Sequence, residues 1–132
     1  MAENPRWIAV VDDDASVLKA LKRALRVRGL KTRTYESAKD FLAAAADGLP
    51  ECLVVDLQMP EMTGLELHHC LTGKGIQIPT IIITAHTDAR VLERSESAGI
   101  IAVFSKPLRT KSLFAAIEGV IGGERNPDQQ TS

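Results

Sequence analysis

The 132-residue chain lacks the residues and segments on which several classes of protein depend. It has only two cysteines, Cys52 and Cys70, which lie in separate apolar segments and lack the spacing of a metal-binding pair. We therefore expect free thiols rather than a disulfide or a zinc site. No apolar run is long enough to span a membrane. The N-terminus also lacks the charged-then-apolar pattern of a signal peptide, which predicts a cytoplasmic protein.

An excess of charge of one sign is also missing, since 16 Lys and Arg stand against 17 Asp and Glu. The resulting net charge of −1 does not indicate a nucleic-acid-binding protein, and the sequence has no helix-turn-helix segment. We therefore expect no nucleic-acid contact within these residues. Hydrophobic residues make up 45% and charged residues 25%, as is typical of a globular protein. The length fits one domain.

Short apolar segments alternate with amphipathic segments along the chain. Asp14 or Ser16 is positioned to begin the first helix, and Gly29 to end it. The first, third and fourth apolar segments are nearly continuous, as in strands that are buried on both faces. Strict alternation of strands and helices favours an α/β fold, with a doubly wound parallel sheet covered by helices. The predicted strands are 7–12, 31–35, 52–56, 79–84 and 100–105. The last predicted helix is 111–121, where apolar residues recur at helical spacing.

Polar side chains follow four of these strands at their carboxyl ends, where ligands bind in folds of this kind. They are Asp12 and Asp13, Asp56, Thr84 and Lys106. Crowded carboxylates repel each other unless one acid has a raised pKa or a cation is bound. Oxygen ligands without His or Cys favour a hard ion, above all magnesium. With such an ion, Asp56 would act as a nucleophile and form an acyl phosphate, while Lys106 and Thr84 hold the other phosphoryl oxygens.

Four motifs, taken together and in this order, resemble the receiver domain of two-component response regulators. They are "VVDDD" (10–14), "VVDLQMPEMTGLEL" (54–67), "IIITA" (81–85) and "SKPL" (105–108). The resemblance covers residues 6–121, which leaves 122–132 as a flexible tail or the start of a linker. It implies a CheY-like, flavodoxin-like fold in which five parallel strands have the order 2-1-3-4-5.

The resemblance also implies a phosphorylation site. Asp56 would accept a phosphoryl group from a sensor histidine kinase or a phosphotransfer protein, with Mg²⁺ or Mn²⁺ as cofactor. Asp13, Asp56 and the backbone carbonyl of Gln58 would bind the metal directly, whereas Asp12 would act mainly through water. The protein would then be a signalling switch and not an enzyme, with only slow self-catalysed phosphorylation and dephosphorylation.

The same resemblance assigns two further residues of the switch. Thr84 would be the switch hydroxyl and Lys106 the phosphate-contacting lysine. Asp14 matches no fixed position of the family's site, and we assign it to the N-cap of the first helix. His86, two residues beyond Thr84, is predicted to be an exposed residue near the site.

One position departs from the family pattern. Many receivers have Tyr or Phe three residues before the lysine, where this chain has Val103, and Phe104 should face the opposite side of the strand. Ile101 and Val103 are predicted to share one face of an edge strand, beside a helix with few apolar residues. We expect the fourth helix, fifth strand and fifth helix to form a docking face for a downstream protein or a second copy of the chain.

Two alternatives stay open at this point. Asp12 and Asp14 form an Asp-x-Asp pair that resembles the start of a haloacid-dehalogenase-type phosphatase. Such an enzyme also needs an acidic pair after the lysine, which the chain does not supply. The other alternative is a receiver-shaped interaction module that no longer uses phosphate, for which Val103 leaves some room. His68 and His69 are predicted to be surface or partly packed residues, because neighbours on a helix point in different directions.

Overall fold

Strands and helices alternate strictly along the chain in the computed structural model, which describes residues 7–125. The strands are β1 (Trp7–Val11), β2 (Lys31–Tyr35), β3 (Cys52–Asp56), β4 (Thr80–Thr84) and β5 (Ala102–Ser105). The helices are α1 (Ala15–Val27), α2 (Ala38–Ala45), α3 (Gly64–Gly73), α4 (Ala89–Ala98) and α5 (Thr110–Arg125). Within this range no helix has the length and apolar character that a membrane span requires.

The strands form one parallel sheet with the order β2-β1-β3-β4-β5, which confirms the predicted topology. The three central strands are buried along their whole length, because helices cover both faces of the sheet. Alternate residues of these strands enter two separate cores. The core beneath α1 and α5 includes Ile8, Val10, Leu25, Leu113 and Ile117. The core on the other face includes Ala9, Val11, Phe41, Leu53 and Leu67.

Side-chain caps fix where several helices begin. Asp14 is the N-cap of α1, as predicted, and its Oδ1 accepts a hydrogen bond of 2.9 Å from the backbone N–H of Ser16. Ser37 caps α2 in the same way. At α3, Thr63 and Glu66 form a capping box, in which each side chain accepts from the other residue's backbone N–H. The connection from β3 to α3 is therefore well defined.

The last helix is longer than predicted. The tail was expected to begin at Gly122, whereas α5 continues to Arg125. A glycine inside a helix costs only about 1 kcal/mol relative to alanine. The burial of Leu113 and Ile117 on the same helix offsets such a cost. The rest of the predicted tail, 126–132, lies outside the described residues.

The fifth strand is shorter than predicted. The prediction that Ile101 and Val103 share one face of this strand is therefore wrong. β5 begins at Ala102, so Ile101 lies before the strand and does not share a strand face with Val103. Ile101 is 50% exposed. Val103 is partly buried against the core beneath α2 and α3, while Phe104 packs against the core on the opposite side, as expected from strand alternation. Only Ile101 of the predicted pair is a prominent surface residue.

His68 is another departure from the sequence-based prediction of a surface or partly packed residue, because it is buried. Its Nε2 donates to the carbonyl oxygen of Ala98 at 2.9 Å, and its Nδ1 lies 3.2 Å from Thr80 Oγ1. The imidazole therefore joins α3 to the start of β4 and the end of α4. His69 is exposed, as predicted.

Candidate functional site

Three carboxylates meet at the carboxyl end of the sheet. Asp12 follows β1 directly, Asp13 is next to it, and Asp56 is the last residue of β3. One oxygen from each lies within 4.8 Å of the others. Asp12 and Asp56 are buried, whereas Asp13 is exposed. The backbone N–H of Asp14 donates to Asp12 Oδ1 at 2.9 Å and so fixes the most buried of the three acids.

Lys106 supplies the cation of this cluster from the connection after β5. Its Nζ lies 3.0 Å from Asp12 Oδ2 and 3.5 Å from Asp56 Oδ2. Its backbone N–H donates to the carbonyl oxygen of Thr84 at 2.8 Å, which ties this connection to the end of β4. Within residues 7–125, Asp12 Oδ2 has no hydrogen-bond partner apart from the ion pair with Lys106, which is therefore its main electrostatic compensation.

These surroundings change the ionisation of Asp56 and Lys106. Burial raises the pKa of Asp56 to about 6, and the nearby negative charge of Asp12 adds to the rise. The Lys106 ammonium and the backbone N–H of Gln58 act in the opposite direction. Burial alone would lower the pKa of Lys106, but the carboxylates of Asp12 and Asp56 raise it above its ordinary value. The lysine is therefore fully charged at neutral pH.

Thr84 and Gln58 lie at the same edge of the sheet but contact the cluster less directly. Thr84 is buried, and its Oγ1 donates to the carbonyl oxygen of His86 at 3.0 Å and accepts from the His86 N–H at 3.2 Å. The hydroxyl is thus engaged within its own connection, β4 to α4. The exposed position of His86 confirms its prediction. Gln58 is exposed, two residues beyond Asp56.

Gly64 is a residue of the site that the sequence analysis did not single out. A Cβ at this position would lie 2.7 Å from the carbonyl oxygen of Asp56, closer than any normal contact. The backbone N–H of Gly64 donates to the carbonyl oxygen of Leu57 at 2.9 Å. The close approach of α3 to the end of β3 therefore requires glycine. The motif 54–67 already contained a signal for this role, because its glycine directly follows Thr63, a residue type that commonly caps helices.

Asp14 takes no part in the acidic cluster. Its Oδ1 accepts from both the backbone N–H and the hydroxyl of Ser16, at 2.9 and 2.7 Å. These hydrogen bonds hold the pKa of Asp14 below its ordinary value. A phosphatase with an Asp-x-Asp pair would need this residue as a general acid, protonated and directed at the substrate. The low pKa of Asp14 disfavours the protonated form that a general acid needs. Its Oδ1 is also occupied by two hydrogen bonds from Ser16.

Comparison with known proteins agrees with the motifs. The family model of the response regulator receiver domain matches residues 8–118. The response regulator protein TmoT of Ectopseudomonas mendocina is 40% identical over 117 residues, which are 89% of this chain and 53% of TmoT. The transcriptional regulatory protein FixJ of Rhizobium meliloti is 37% identical over 111 residues, 84% of this chain and 54% of FixJ. The chain thus spans about half the length of these relatives.

Solved structures give the same result at the level of the fold. The crystal structure of FixJ-N has a TM-score of 0.80 at 35% identity, and the match covers 89% of this chain and 94% of FixJ-N. The response regulator StyR has a TM-score of 0.83 at 36% identity, covering 97% of this chain and 66% of StyR. With its sheet order, its acidic cluster and these matches, the chain belongs to the receiver domain family of two-component response regulators.

Proposed function

We propose that this receiver domain is a switch that is operated by phosphorylation of Asp56, with a histidine kinase or phosphotransfer protein as donor. One observation carries the proposal: the Asp56 carboxylate lies in a cluster with Asp12, Asp13 and Lys106 at the open end of the sheet. Buried strands on both sides hold β3 in place, so Asp56 is presented with little freedom. Rigid presentation of a nucleophile lowers the entropic cost of its reaction.

In the proposed transfer, an Asp56 carboxylate oxygen attacks the phosphorus atom of a phosphohistidine. The P–N bond breaks, its electron pair stays with the imidazole nitrogen, and an acyl phosphate forms on Asp56. The attacking carboxylate must be ionised, which a pKa of about 6 allows at neutral pH. Lys106, 3.5 Å from Asp56 Oδ2, is placed to contact an oxygen of the incoming phosphoryl group.

We propose Mg²⁺, or Mn²⁺ in its place, as the cofactor of this site. The donor set fits, since three carboxylates within 4.8 Å of one another provide only oxygen ligands. Asp13, Asp56 and the backbone carbonyl of Gln58 would bind the ion, with Asp12 acting mainly through water. When bound, the ion would neutralise part of the negative charge that the carboxylates and the phosphoryl oxygens share.

The proposed switch starts at Thr84. Its hydroxyl would leave the His86 backbone for a phosphoryl oxygen, which changes the connection from β4 to α4. The helix beyond is weakly anchored, since the only buried residue of α4 is Ser95, whose Oγ has no hydrogen-bond partner among the described residues. Two arrangements of α4 can therefore differ little in free energy, as a switch requires.

The surface beside this helix is the proposed output. Leu92 on α4 and Ile101 before β5 are 48% and 50% exposed. We propose that this face of α4, β5 and α5 meets a downstream protein or a second copy of the chain, in the cytoplasm. Val103 is partly buried against the core beneath α2 and α3, so Ile101 is the more accessible of the two residues on this face.

The test is phosphorylation by a small donor. Incubation with Mg²⁺ and acetyl phosphate should add the mass of one phosphoryl group to the intact protein. The Asp56→Asn variant should stay unlabelled, whereas the exposed-residue control Asp47→Asn should be labelled as the wild type is. Labelling of Asp56→Asn at the wild-type rate would show that Asp56 is not the acceptor. Labelling that persists in excess EDTA would contradict the proposed cofactor.

A further inference from the structure

His68 is a buried histidine on α3 that takes no part in the acidic cluster. It is 8% exposed, although the neighbouring His69 on the same helix is exposed. Its Nε2 donates to the carbonyl oxygen of Ala98, the last residue of α4, at 2.9 Å. Its Nδ1 lies 3.2 Å from Oγ1 of Thr80, the first residue of β4. The ring therefore connects the end of α4 to the edge of the sheet opposite the acidic cluster.

The hydrogen bonds around this ring need one more proton than a neutral imidazole has. A carbonyl oxygen only accepts hydrogen bonds, so the contact with Ala98 places a proton on Nε2. The single hydroxyl hydrogen of Thr80 is used in a hydrogen bond of 2.8 Å to the carbonyl oxygen of Ile78. Nδ1 of His68 then has a partner only as a second donor, to Thr80 Oγ1, which requires the doubly protonated imidazolium. Loss of one proton from the ring therefore removes one of these three hydrogen bonds.

A protonated ring is also favourable at the end of a helix. The last carbonyl groups of a helix have no partner within it and carry the negative end of the helix dipole. In α4 the backbone N–H groups of Gly99 and Ile100 donate to carbonyl oxygens earlier in the helix, which leaves that of Ala98 to His68. A positively charged donor forms a stronger hydrogen bond than a neutral one. Protonation of His68 therefore strengthens its contact with α4.

No buried acid faces the ring from the elements that surround it. β4 has no charged residue, and the residues that share a cavity with His68 are uncharged. Glu51, which precedes β3, is partly exposed and has an interaction of its own. The titratable groups within about one turn of His68 or Ala98, and the one on the connection from α3 to β4, are at least partly exposed. They are Glu66, His69, Cys70, Arg94, Glu96 and, on the connection, Lys74. The charge of the ring is therefore not fixed by a buried ion pair and can respond to pH.

The hydrogen bond from His68 is the main polar contact that anchors α4. Within residues 7–125, no other side chain from a different element forms a hydrogen bond with α4. The only buried residue of α4 is Ser95, whose Oγ has no partner among the described residues. The proposed switch at Thr84 acts on the beginning of α4 through the connection from β4, whereas His68 holds its end. The two residues thus act on opposite ends of the same helix.

We propose that protonation of His68 holds α4 in the arrangement described here, so that the switch at Asp56 also responds to pH. The anchoring of α4 stands by itself, and its effect on Asp56 rests on the proposed function. By linkage, a change that moves α4 away from the ring favours loss of the proton, and acid opposes that change to the same extent. Histidine ordinarily changes its charge between about pH 5 and about pH 8, which is the range in which this control would act.

NMR titration of the imidazole nitrogens tests the anchoring in the intact protein. The chain has three histidines, so the exposed His69 and His86 serve as internal controls. From about pH 8 to about pH 5, His68 should become protonated on both nitrogens, and the backbone amide signals of 95–99 should shift with the same midpoint. These amide shifts should be lost in His68→Gln, whose amide donates without titrating, and should persist in His69→Gln. A His68 ring with the same charge at both ends of the range, or α4 amides that follow another histidine, would overturn the inference.

Beryllofluoride with Mg²⁺, a mimic of the phosphoryl group, tests the link to Asp56. Its binding should lower the titration midpoint of His68 by about 0.3 pH unit or more, which corresponds to a coupling of about twofold or more. Asp56→Asn lacks the carboxylate that binds this mimic and should show no change. Acetyl phosphate should label His68→Gln about twice as fast as the wild type or faster at about pH 6, and equally fast at about pH 8. The ionisation of Asp56 is common to both proteins, so it cancels in this ratio.

The proposed function and the inference fail in different ways. If acetyl phosphate does not label the wild type, the proposed function falls, while the titration of His68 and of the α4 amides still decides whether the ring anchors α4. If labelling and beryllofluoride binding are normal but the His68 midpoint does not move, the function stands and the control by pH is wrong. A labelling ratio of His68→Gln to wild type that is the same at both pH values leads to the same conclusion.

Discussion

Removing the charge of Asp56 should stabilise the metal-free protein. Asp56 is 5% exposed, and burial together with the charge of Asp12 raises its pKa from 3.8 to about 6. The folded protein therefore resists ionising this residue, while the unfolded chain ionises it freely. A shift of about 2 pH units corresponds to about 3 kcal/mol, at about 1.4 kcal/mol for each unit. Asp56→Asn keeps the shape of the side chain and removes this penalty.

The sign of the pH dependence follows from proton binding. Below about pH 3 the acid is protonated in both states, so the wild type has the full stability that this residue allows. Between about pH 4 and about pH 6 the folded state retains a proton that the unfolded state has lost, and stability falls as the pH rises. Above that range the loss is complete. Asp56→Asn should thus exceed the wild type in free energy of unfolding by about 3 kcal/mol at pH 8, and this difference should vanish below about pH 3.

Urea unfolding in EDTA measures this difference. Trp7 is the only tryptophan and is buried in β1, which makes its fluorescence a suitable probe. The exposed-residue control Asp47→Asn should follow the wild type at every pH. Added Mg²⁺ should stabilise the wild type, by about 2.7 kcal/mol at a hundred times its dissociation constant, and much less the Asn variant. Equal stability of wild type and Asp56→Asn at pH 8 in EDTA would refute the reasoning.

Three further variants test other parts of the structure by the same urea unfolding. Asp14→Ala should lower the free energy of unfolding by loss of the α1 cap, whereas Asp14→Asn should lose little, and acetyl phosphate should label both variants. Gly64→Ala should destabilise by about 1–3 kcal/mol, because the new Cβ meets the Asp56 carbonyl oxygen, while Gly119→Ala, with open space around it, should not destabilise. His68→Ala should lower the free energy of unfolding by about 2–4 kcal/mol, because it removes buried volume and the hydrogen bonds to Thr80 and Ala98. The control is His69→Ala, at an exposed residue. If His68→Ala destabilises no more than this control, His68 does not join α3 to α4.

The sequence predicted a parallel sheet and the acidic cluster from local features, whereas the strand order followed only from the resemblance to receiver domains. Apolar runs mark the central strands, and in a parallel sheet their carboxyl ends must share one edge. Asp12, Asp13 and Asp56 are each adjacent to such a run, so their meeting required no knowledge of side-chain packing. The cap at Asp14 was predictable for the same reason, since it depends on neighbours in sequence.

The features that the sequence did not predict depend on contacts between distant elements. His68 is buried only because the end of α4 lies over its position on α3, as the hydrogen bond to Ala98 shows. The need for glycine at Gly64 arises from how closely α3 approaches the end of β3. The helix α5 continues to Arg125 despite its glycines, and its buried residues Leu113, Ile117 and Ile121 pack against the sheet, which local propensity does not predict.

The charges of the site explain why the carboxylate of Asp56 destabilises the metal-free protein. The cluster places three carboxyl groups around a single ammonium group, that of Lys106. Lys106 lies closer to Asp12 than to Asp56, at 3.0 against 3.5 Å, so the most buried acid is the better compensated. Asp56 is therefore the less compensated of the two buried acids, in agreement with the rise of its pKa to about 6. We expect a divalent cation bound at this cluster to offset the cost of burying the Asp56 charge, so that binding of the ion restores stability that the metal-free protein lacks.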